Sequence, residues 1–310
     1  MEYTSRISFP GLGIGEFEVD NVAFTIFGRE IAWYAVLITT GILFCFWYVT
    51  WRSKQYGLTS DDVMDIGLVT VISGVVGGRA YYVLTSLDQY DSFWQFFEIW
   101  RGGIGIYGGL IAGGIAVYVM CRIKRVHFNT FADCVCPSIL FAQMIGRFGN
   151  FFNGEAFGSQ TDAFLRMGLA NKITAATFGT SATEMVYVHP TFLYEALVTM
   201  SGCIIANLLF RRRKYSGFIF HFCFAWYGFG RMFIELLRTD SLYLIPGHHV
   251  WYNKISVLVG FFSFLVFGGL MVYNFIRYYK GTDEERAAMA PHEMTVEERK
   301  AHLEALKTQK

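Results

Sequence analysis

Seven long apolar segments constrain the fold of this chain more than any other feature of its sequence. A helix needs about 20 apolar residues to cross roughly 30 Å of hydrocarbon, and most of these segments approach that length. We therefore predict an all-α integral membrane protein with about seven transmembrane helices. The predicted spans are 31–51, 61–84, 104–121, 131–146, 190–210, 216–236 and 251–276.

The composition agrees with a membrane location. Hydrophobic residues make up 54% of the 310 residues and charged residues only 16%, against about 25% charged residues in ordinary soluble chains. Too little charge remains to coat a soluble enzyme with one ordinary core. The formal net charge of +1 gives no electrostatic basis for nucleic-acid binding. We expect membrane lipids, and no nucleic acid, among the partners.

Two further segments lie outside the spans. Residues 147–189 are too many for a simple connection, and we predict that they form a small external cap. Residues 281–310 form a charged tail behind a membrane domain that covers residues 1–280. Thr295 and Glu298 have the spacing of a capping box, which predicts a short helix near 296–306.

The distribution of Lys and Arg predicts the orientation of the chain. The loops 52–60, 122–130 and 211–215 and the segment 277–280 hold eleven basic residues in 27 positions. The segments on the opposite side hold seven in 106 positions. Because short cytoplasmic loops are enriched in Lys and Arg, we predict an external N-terminus and a cytoplasmic C-terminus.

Glycines are concentrated at the start of the third span. Residues 101–114 contain a GxGxxG pattern, but no strand–helix unit surrounds it, so a dinucleotide-binding motif is excluded by context. Gly105, Gly109 and Gly113 are spaced by four and predict a helix face without side chains, where another helix approaches closely. The alternative is close approach to a ligand, with Tyr107 facing the same space.

Charged residues inside the sixth span indicate a functional site. Tyr227, Arg231, Glu235 and Arg238 recur at intervals of four, four and three, which places them on one helical face. Ionisable groups at membrane depth are costly and usually functional. Arg231 and Glu235 alone are also compatible with a purely structural ion pair. Two Arg against one Glu leave an excess positive charge, which favours binding of an anion.

A second group of polar residues follows the fourth span. Arg147, Asn150, Asn153, Glu155 and Gly158 lie in a Gly-rich run. Donors at a broken helix end suit a phosphate group, and Glu155 is placed to orient an arginine. The alternative is a Gly-rich helix terminus with an interfacial arginine.

A third group begins the fifth span, where His189 precedes a buried Glu195. Glu195 needs a cationic partner, and Arg79 in the second span is one candidate. Tyr34, at the start of the first span beside Trp33, belongs to an interfacial aromatic belt or reaches the charged cluster. With the predicted orientation, all these groups lie toward the outer leaflet.

Together these motifs resemble the prolipoprotein diacylglyceryl transferase family, over most of the chain from Trp33 to Asp240. The run Gly146–Gly158 is similar to the signature of the family, and 189–195 and 230–240 match further blocks. The resemblance implies a bacterial cytoplasmic-membrane enzyme that moves diacylglyceryl from phosphatidylglycerol to the lipobox cysteine of a prolipoprotein. Glycerol phosphate would be released, and no metal or cofactor would be required.

The resemblance also implies roles for individual residues. Arg147 matches the phosphatidylglycerol-binding arginine, and Asn150, Gly158, Arg231, Glu235 and Tyr34 lie at positions that the family treats as essential or important. With the residues of the patterns above, they give two sets of predicted site residues. The predicted catalytic residues are Arg147, Asn150, Arg231, Glu235, Tyr107 and Tyr34. The predicted substrate-binding residues are Arg147, Asn153, Glu155, Gly158, His189, Tyr227 and Arg238.

One position departs from the family. Many members have His-Gly-Gly in the third span, where this chain has Tyr107-Gly108-Gly109. That histidine has been proposed as the base that activates the thiol. Since tyrosine has a pKa of about 10, we expect Tyr107 to position substrate, while Arg147 and Arg231 stabilise phosphate and thiolate. His189 is a weaker candidate for the base.

Two other functions remain open from sequence. Buried Arg and Glu beside Gly-rich helices are also found in secondary transporters of anions, although no repeat relates the two halves of this chain. A lipid-binding subunit without chemistry is the third possibility. The pair His248–His249 is isolated, and we expect it in an exposed loop.

Overall fold

The helices follow the predicted apolar segments closely. The computed structural model describes residues 4–87, 90, 92–98, 102–245, 250–291 and 293–308, so the pair His248–His249 lies outside the described residues. The helices are α1 (Trp33–Ser53), α2 (Ser60–Thr85), α3 (Ile106–Ile123), α4 (Phe128–Asn153), α5 (Lys172–Phe178), α6 (Thr191–Phe210), α7 (Phe218–Leu237), α8 (Ile255–Lys280), α9 (Asp283–Met289) and α10 (Val296–Thr308).

Six of the described helices are long and apolar enough to cross a membrane, and these are α1, α2, α3, α4, α6 and α8. The predicted span 216–236 is also helical, as α7. It is less apolar than the others because it carries His221, Arg231 and Glu235. The predominantly helical membrane fold is therefore confirmed.

The fourth helix is longer than predicted. α4 continues seven residues past the predicted end of the span and stops at Asn153, where Gly154 takes a left-handed conformation with φ of 60°. Glycine is favoured after a helix end because it adopts positive φ without steric cost. As a result, Arg147, Asn150 and Asn153 lie on the last turns of one helix, not in a broken segment.

The chain divides into two compact units, residues 1–45 with 135–290 and residues 46–134 with 291–310. The first unit contains strands that the sequence analysis did not predict. They are β1 (Ser5–Phe9), β2 (Ile14–Val19), β3 (Val22–Ile26), β4 (Arg29–Ala32), β5 (Met167–Ala170) and β6 (Val186–Val188).

Four of these strands form an antiparallel sheet in the order β2-β1-β5-β6. The sheet joins the N-terminal residues to the predicted cap 147–189, since Arg6 pairs with Ala170. Its buried side chains include Ile7, Leu169 and Val188. Strands this short give little periodicity, and their partners are far apart in sequence, which explains why the sequence did not reveal a sheet.

In the second unit, α2 and α3 approach each other through glycines. A Cβ on Gly109 would lie 3.2 Å from the carbonyl oxygen of Gly74, and the Gly105 N–H donates to the Gly78 carbonyl at 2.9 Å. Gly113 lies against Thr70. The predicted packing role of the glycine stripe in α3 is therefore confirmed.

The tail of the second unit is helical as predicted. The Thr295 N–H donates to Glu298 at 2.6 Å, and the Glu298 N–H donates to the Thr295 hydroxyl at 3.2 Å, which is a complete capping box before α10. Arg299 is buried and pairs with Asp62, the residue that caps α2 with Thr59. This pair fastens the tail to the start of α2.

Candidate active site

Three helix ends of the first unit supply the charged residues of the site. Glu195 lies in the first turns of α6, which begins at Thr191 after Pro190. Arg231 and Glu235 lie one turn apart near the end of α7, as the spacing predicted. The ends of α4, α6 and α7 thus bring the charged side chains of the first unit together.

Glu195 is the centre of the cluster. Its Oε1 accepts a hydrogen bond from Arg231 Nη1, and its Oε2 forms an ion pair with Arg147 Nε. Arg238 Nη1 lies 3.7 Å from Oε1. Only 3% of Glu195 is exposed, and a buried carboxylate requires such partners. Glu195 thus joins Arg147 of one predicted motif to Arg231 and Arg238 of another.

The cationic partner suggested for Glu195 was wrong. Arg79 donates from all three of its nitrogens to backbone carbonyls in the segment 95–103. Sequence reasoning identified the need for a cation but not its source, since Arg147 and Arg231 reach Glu195 only through the packing of α4, α6 and α7.

The second carboxylate of the cluster is Glu235, which is 1% exposed. Its Oε2 lies 2.6 Å from Arg231 Nη2 and 3.9 Å from Arg238 Nε. Arg238 also donates to both carboxylate oxygens of Asp240, at 2.9 and 2.7 Å. Arg147, Arg231 and Arg238 therefore face Glu195, Glu235 and Asp240, so each arginine of the cluster has a carboxylate partner.

A chain of hydrogen bonds fixes Arg147 from the other side. Arg147 Nη1 donates to Asn150 Oδ1 at 3.3 Å, and Asn150 Nδ2 donates to Glu155 Oε1 at 3.1 Å. Asn153 Nδ2 donates to the same oxygen at 2.9 Å. Glu155 therefore orients the arginine through Asn150.

Arg147 retains an unused donor. Its Nε and Nη1 are bound by Glu195 and Asn150, whereas Nη2 contacts no acceptor among the described residues. The Arg147 side chain is 22% exposed, compared with 15% for Arg231 and 10% for Arg238. Arg147 is thus the most accessible cation of the cluster and has a guanidinium N–H available to an anion.

Gly158 and His189 connect the cap to the end of α7. The Gly158 N–H donates to the His189 carbonyl at 2.9 Å, and the Ser159 N–H donates to the Leu237 carbonyl at 2.7 Å. A Cβ on Gly158 would lie 2.7 Å from the Cβ of His189, so only glycine fits. This close approach holds Arg238, the residue after Leu237, in place.

The side chain of His189 turns to a neighbouring tyrosine. Its Nδ1 lies 3.3 Å from the Tyr194 hydroxyl. Burial lowers the pKa of His189, because desolvation disfavours the charged imidazole. His189 is therefore neutral near pH 7, and its predicted role in substrate binding remains a prediction.

The three predicted tyrosines occupy different places. The Tyr34 ring packs on Gly149 of α4, where an added Cβ would lie 2.5 Å from its Cδ2. Tyr227 is half-buried, one turn before Arg231 on α7. Tyr107 lies in the first turn of α3, in the other unit of the chain, so its role also remains a prediction.

The sequence analysis missed two contributors from the start of α8. Lys254 is buried, and its Nζ donates to the carbonyls of Glu235 and Arg238 at 2.8 and 3.1 Å. Ser256 Oγ lies 3.5 Å from Arg231 Nη2. A lysine before an apolar run is typical of a membrane interface, and nothing in the sequence indicates that it caps the preceding helix.

Comparisons with known proteins point to one family. The family described as prolipoprotein diacylglyceryl transferase matches residues 21–273 of the chain. A protein of Clostridium perfringens named phosphatidylglycerol–prolipoprotein diacylglyceryl transferase 1 is 37% identical over 73% of this chain and 86% of its own length. Proteins of Enterococcus faecalis and Clostridioides difficile with the name phosphatidylglycerol–prolipoprotein diacylglyceryl transferase are 37% and 36% identical, over 80% and 83% of this chain and 89% and 96% of their own lengths.

Proposed function

The chain belongs to the prolipoprotein diacylglyceryl transferase family, and from this premise we propose that it transfers diacylglyceryl from phosphatidylglycerol to a lipobox cysteine thiol of a prolipoprotein. The assignment of the reaction to this site rests on the oriented guanidinium of Arg147. Glu195 and Asn150 hold its guanidinium, and its Nη2 remains available. The names of the relatives give the anion-transporter alternative no support.

The proposed reaction is a displacement at carbon. The cysteine sulfur forms a bond to the glycerol carbon of diacylglyceryl, and the bond between that carbon and the phosphate oxygen breaks. The electron pair of the broken bond stays on the phosphate oxygen, and glycerol phosphate is released. The thiol proton passes to the released phosphate, whose second pKa is about 6.

The main task of the protein in this reaction is electrostatic. Negative charge develops on the departing phosphate, and guanidinium donors fixed beforehand stabilise it without reorganisation. The carboxylates paired with these arginines do not oppose this role. Glu195 and Glu235 hold Arg147 and Arg231 in place, and the phosphate is recognised by the direction of the free N–H groups.

The same arginines account for activation of the thiol. Nearby cations lower the pKa of a cysteine thiol from about 8.5, so a thiol beside Arg147 and Arg231 ionises more readily. Tyr107 then supplies a positioning hydroxyl, and Tyr34, Tyr227, Asn153, Gly158 and His189 shape the substrate site. No general base is needed in this account.

The function is tested with purified enzyme, phosphatidylglycerol and a lipobox peptide, with thioether formation as the measurement. Arg147→Lys and Arg231→Lys keep the charge but lose the planar fork that binds phosphate. We expect turnover to fall roughly a hundredfold or more in each, since one transition-state donor is worth about 2.7–4 kcal/mol. Arg166→Lys, an arginine of the cap that donates to carbonyls of Asp162 and Ala163, is the matched control. Native turnover in both site variants would contradict the arginine mechanism.

We further propose that the site faces the outer leaflet of the bacterial cell membrane, with the N-terminus and cap outside and the tail cytoplasmic. The support is the density of Lys and Arg in the short loops. Ala176→Cys in the cap and His302→Cys in the tail, both exposed positions, test the orientation in intact cells. An impermeant thiol reagent should label position 176 and not 302, and the reverse pattern would overturn it.

A further inference from the structure

A β-hairpin precedes the first long helix. β3 and β4 pair antiparallel, with Thr25 opposite Glu30 and Ile26 opposite Arg29. The two residues between them, Phe27 and Gly28, have φ of 49° and 76°. Two-residue hairpin loops with positive φ at both positions normally carry Asn-Gly or Asp-Gly, so a phenylalanine is unusual at the first position.

The hairpin presents different side chains on its two faces. Alternation along β3 and β4 places Phe24, Ile26 and Ile31 on one face, with Arg29 at its turn end, and Thr25 and Glu30 on the other. Phe24 and Ile26 are each 48% exposed, so the apolar face is not covered by the rest of the chain. The hairpin therefore has one apolar face without a partner within the described structure.

Phe27 at the tip is fully exposed. A bulky residue with positive φ is conformationally unfavourable, and a fully exposed ring gains no packing energy inside the protein in return. The strain is therefore not explained by contacts within this chain. It is explained if the ring is buried in a second apolar phase.

The base of the hairpin is fixed to a membrane helix. The Trp33 N–H, at the start of α1, donates to the Asn21 carbonyl at 2.8 Å, and the Trp33 ring stacks on Phe152 at 5.0 Å. The next residue, Tyr34, packs on Gly149. The hairpin thus extends from the end of α1 that contacts the last turns of α4, near Arg147.

A cation lies beside the apolar tip. Arg29 pairs with Ile26, is exposed, and forms no ion pair within the described residues. An arginine at the edge of an apolar surface reaches lipid headgroups while its stem remains among the acyl chains. Anionic phospholipids attract such basic residues.

We propose that residues 22–32 form a lipid-binding wedge, in which Phe24, Ile26 and Phe27 enter the bilayer beside the end of α1 and Arg29 binds the phosphate of an anionic phospholipid. The wedge directly precedes α1, which is long and apolar enough to cross a membrane. The proposal rests on α1 as a membrane span and not on the transferase chemistry, so the two are tested separately.

The test places an environment-sensitive thiol probe at Phe27→Cys and, as the matched control, at Glu30→Cys on the polar face. The protein is reconstituted in nanodiscs with and without phosphatidylglycerol, and Cys45, the one half-buried cysteine, is replaced by Ala. We expect blue-shifted emission at position 27, strong quenching by spin-labelled acyl chains, and severalfold weaker quenching at position 30. Equal, water-like emission at the two positions would overturn the proposal. Blue-shifted emission without lipid quenching would indicate a protein partner and would also overturn it.

Two variants separate the apolar contact from the charge. Phe27→Asn suits a positive φ, so we expect an unchanged or higher melting temperature in detergent; a lower one would show that the ring packs within the chain and would contradict the proposal. Arg29→Glu should abolish the dependence of probe quenching on phosphatidylglycerol at position 27. If quenching of the probe at position 27 does not depend on phosphatidylglycerol when Arg29 is present, the contact between Arg29 and lipid phosphate is disproved.

Discussion

Two arginines, the buried Arg79 on α2 and the half-buried Arg231 on α7, are stabilised in different ways. Arg79 donates to the backbone carbonyls of Gln95, Phe96, Gly102 and Gly103 at 2.7–3.0 Å. Arg231 is held by the carboxylates of Glu195 and Glu235. The first arrangement ties down a loop, and the second places a cation within a network of charges.

The difference shows what leaves an arginine available for chemistry. Backbone carbonyls bind all three nitrogens of Arg79, so its role is to hold the backbone of that segment in place. The carboxylate network instead leaves Nη2 of Arg147 without an acceptor among the described residues. Burial of a cation at membrane depth is therefore a weaker sign of function than the presence of an oriented, unused donor.

The strongest test of the comparison removes the shared carboxylate. Glu195→Gln leaves Arg147 and Arg231 without their common anion, and breaking a buried ion pair costs about 3–5 kcal/mol. We expect the free energy of unfolding in detergent to fall by about that amount. Glu16→Gln is the control, because its pair with Arg6 at 3.5 Å is exposed and worth under about 1 kcal/mol. Equal effects of the two changes would show that the cluster is not held by Glu195.

The second prediction concerns Arg79. Lysine offers one compact ammonium in place of the planar fork, so Arg79→Lys should release part of the segment 92–103. We expect faster amide exchange and proteolysis in that segment. Turnover should stay within about tenfold, the effect of roughly one hydrogen bond, because the carbonyl partners of Arg79 lie outside the charged cluster. A collapse of turnover that matches Arg231→Lys would break the distinction between the two arginines.

Tyr107 tests whether arginines alone activate the thiol. If they do, Tyr107→Phe loses one hydrogen bond, about 0.5–1.5 kcal/mol or up to about tenfold in rate. Loss of a general base typically costs about 10²–10⁴-fold. The measurement is the rate of thioether formation for Tyr107→Phe and Tyr107→His over about pH 6–9. A collapse in the first variant that the second restores would establish Tyr107 as the base.

The smallest effect is expected at Asp240. Burial raises the pKa of Asp240, but the hydrogen bonds and charge of Arg238, with a backbone hydrogen bond and the charge of Arg231, together outweigh burial and hold the pKa below its ordinary value. A lowered pKa stabilises the fold above the unfolded value of about 3.9 and loses that contribution as the pH falls through the folded pKa. Because the Asp240 side chain is 48% exposed, we expect under about 1 kcal/mol.

Melting curves of the unmodified chain and Asp240→Asn between about pH 3 and 7 measure this contribution. The unmodified chain should be the more stable at neutral pH, and the two should converge at the acid end. A constant difference across the range would mean that the pair with Arg238 does not control the titration of Asp240.

Much of the helical framework follows from local sequence. Apolar length predicted α1 to α3, and the spacing of Thr295 and Glu298 predicted the capping box of α10. The interval of four between Arg231 and Glu235 is compatible with an ion pair, and the structure shows the pair at 2.6 Å. These features depend on residues within one or two turns, so hydrophobic period and capping chemistry are sufficient.

Tertiary packing decided how the separate motifs meet. Glu195 binds Arg147 and Arg231 because the ends of α4, α6 and α7 converge, and Lys254 reaches α7 because Gly228 and Gly260 let α8 approach closely. The pairing of β1 with β5 likewise joins distant segments. Charge and spacing reveal which residues need partners, but the choice of partner depends on helix ends brought together in space, which no local pattern encodes.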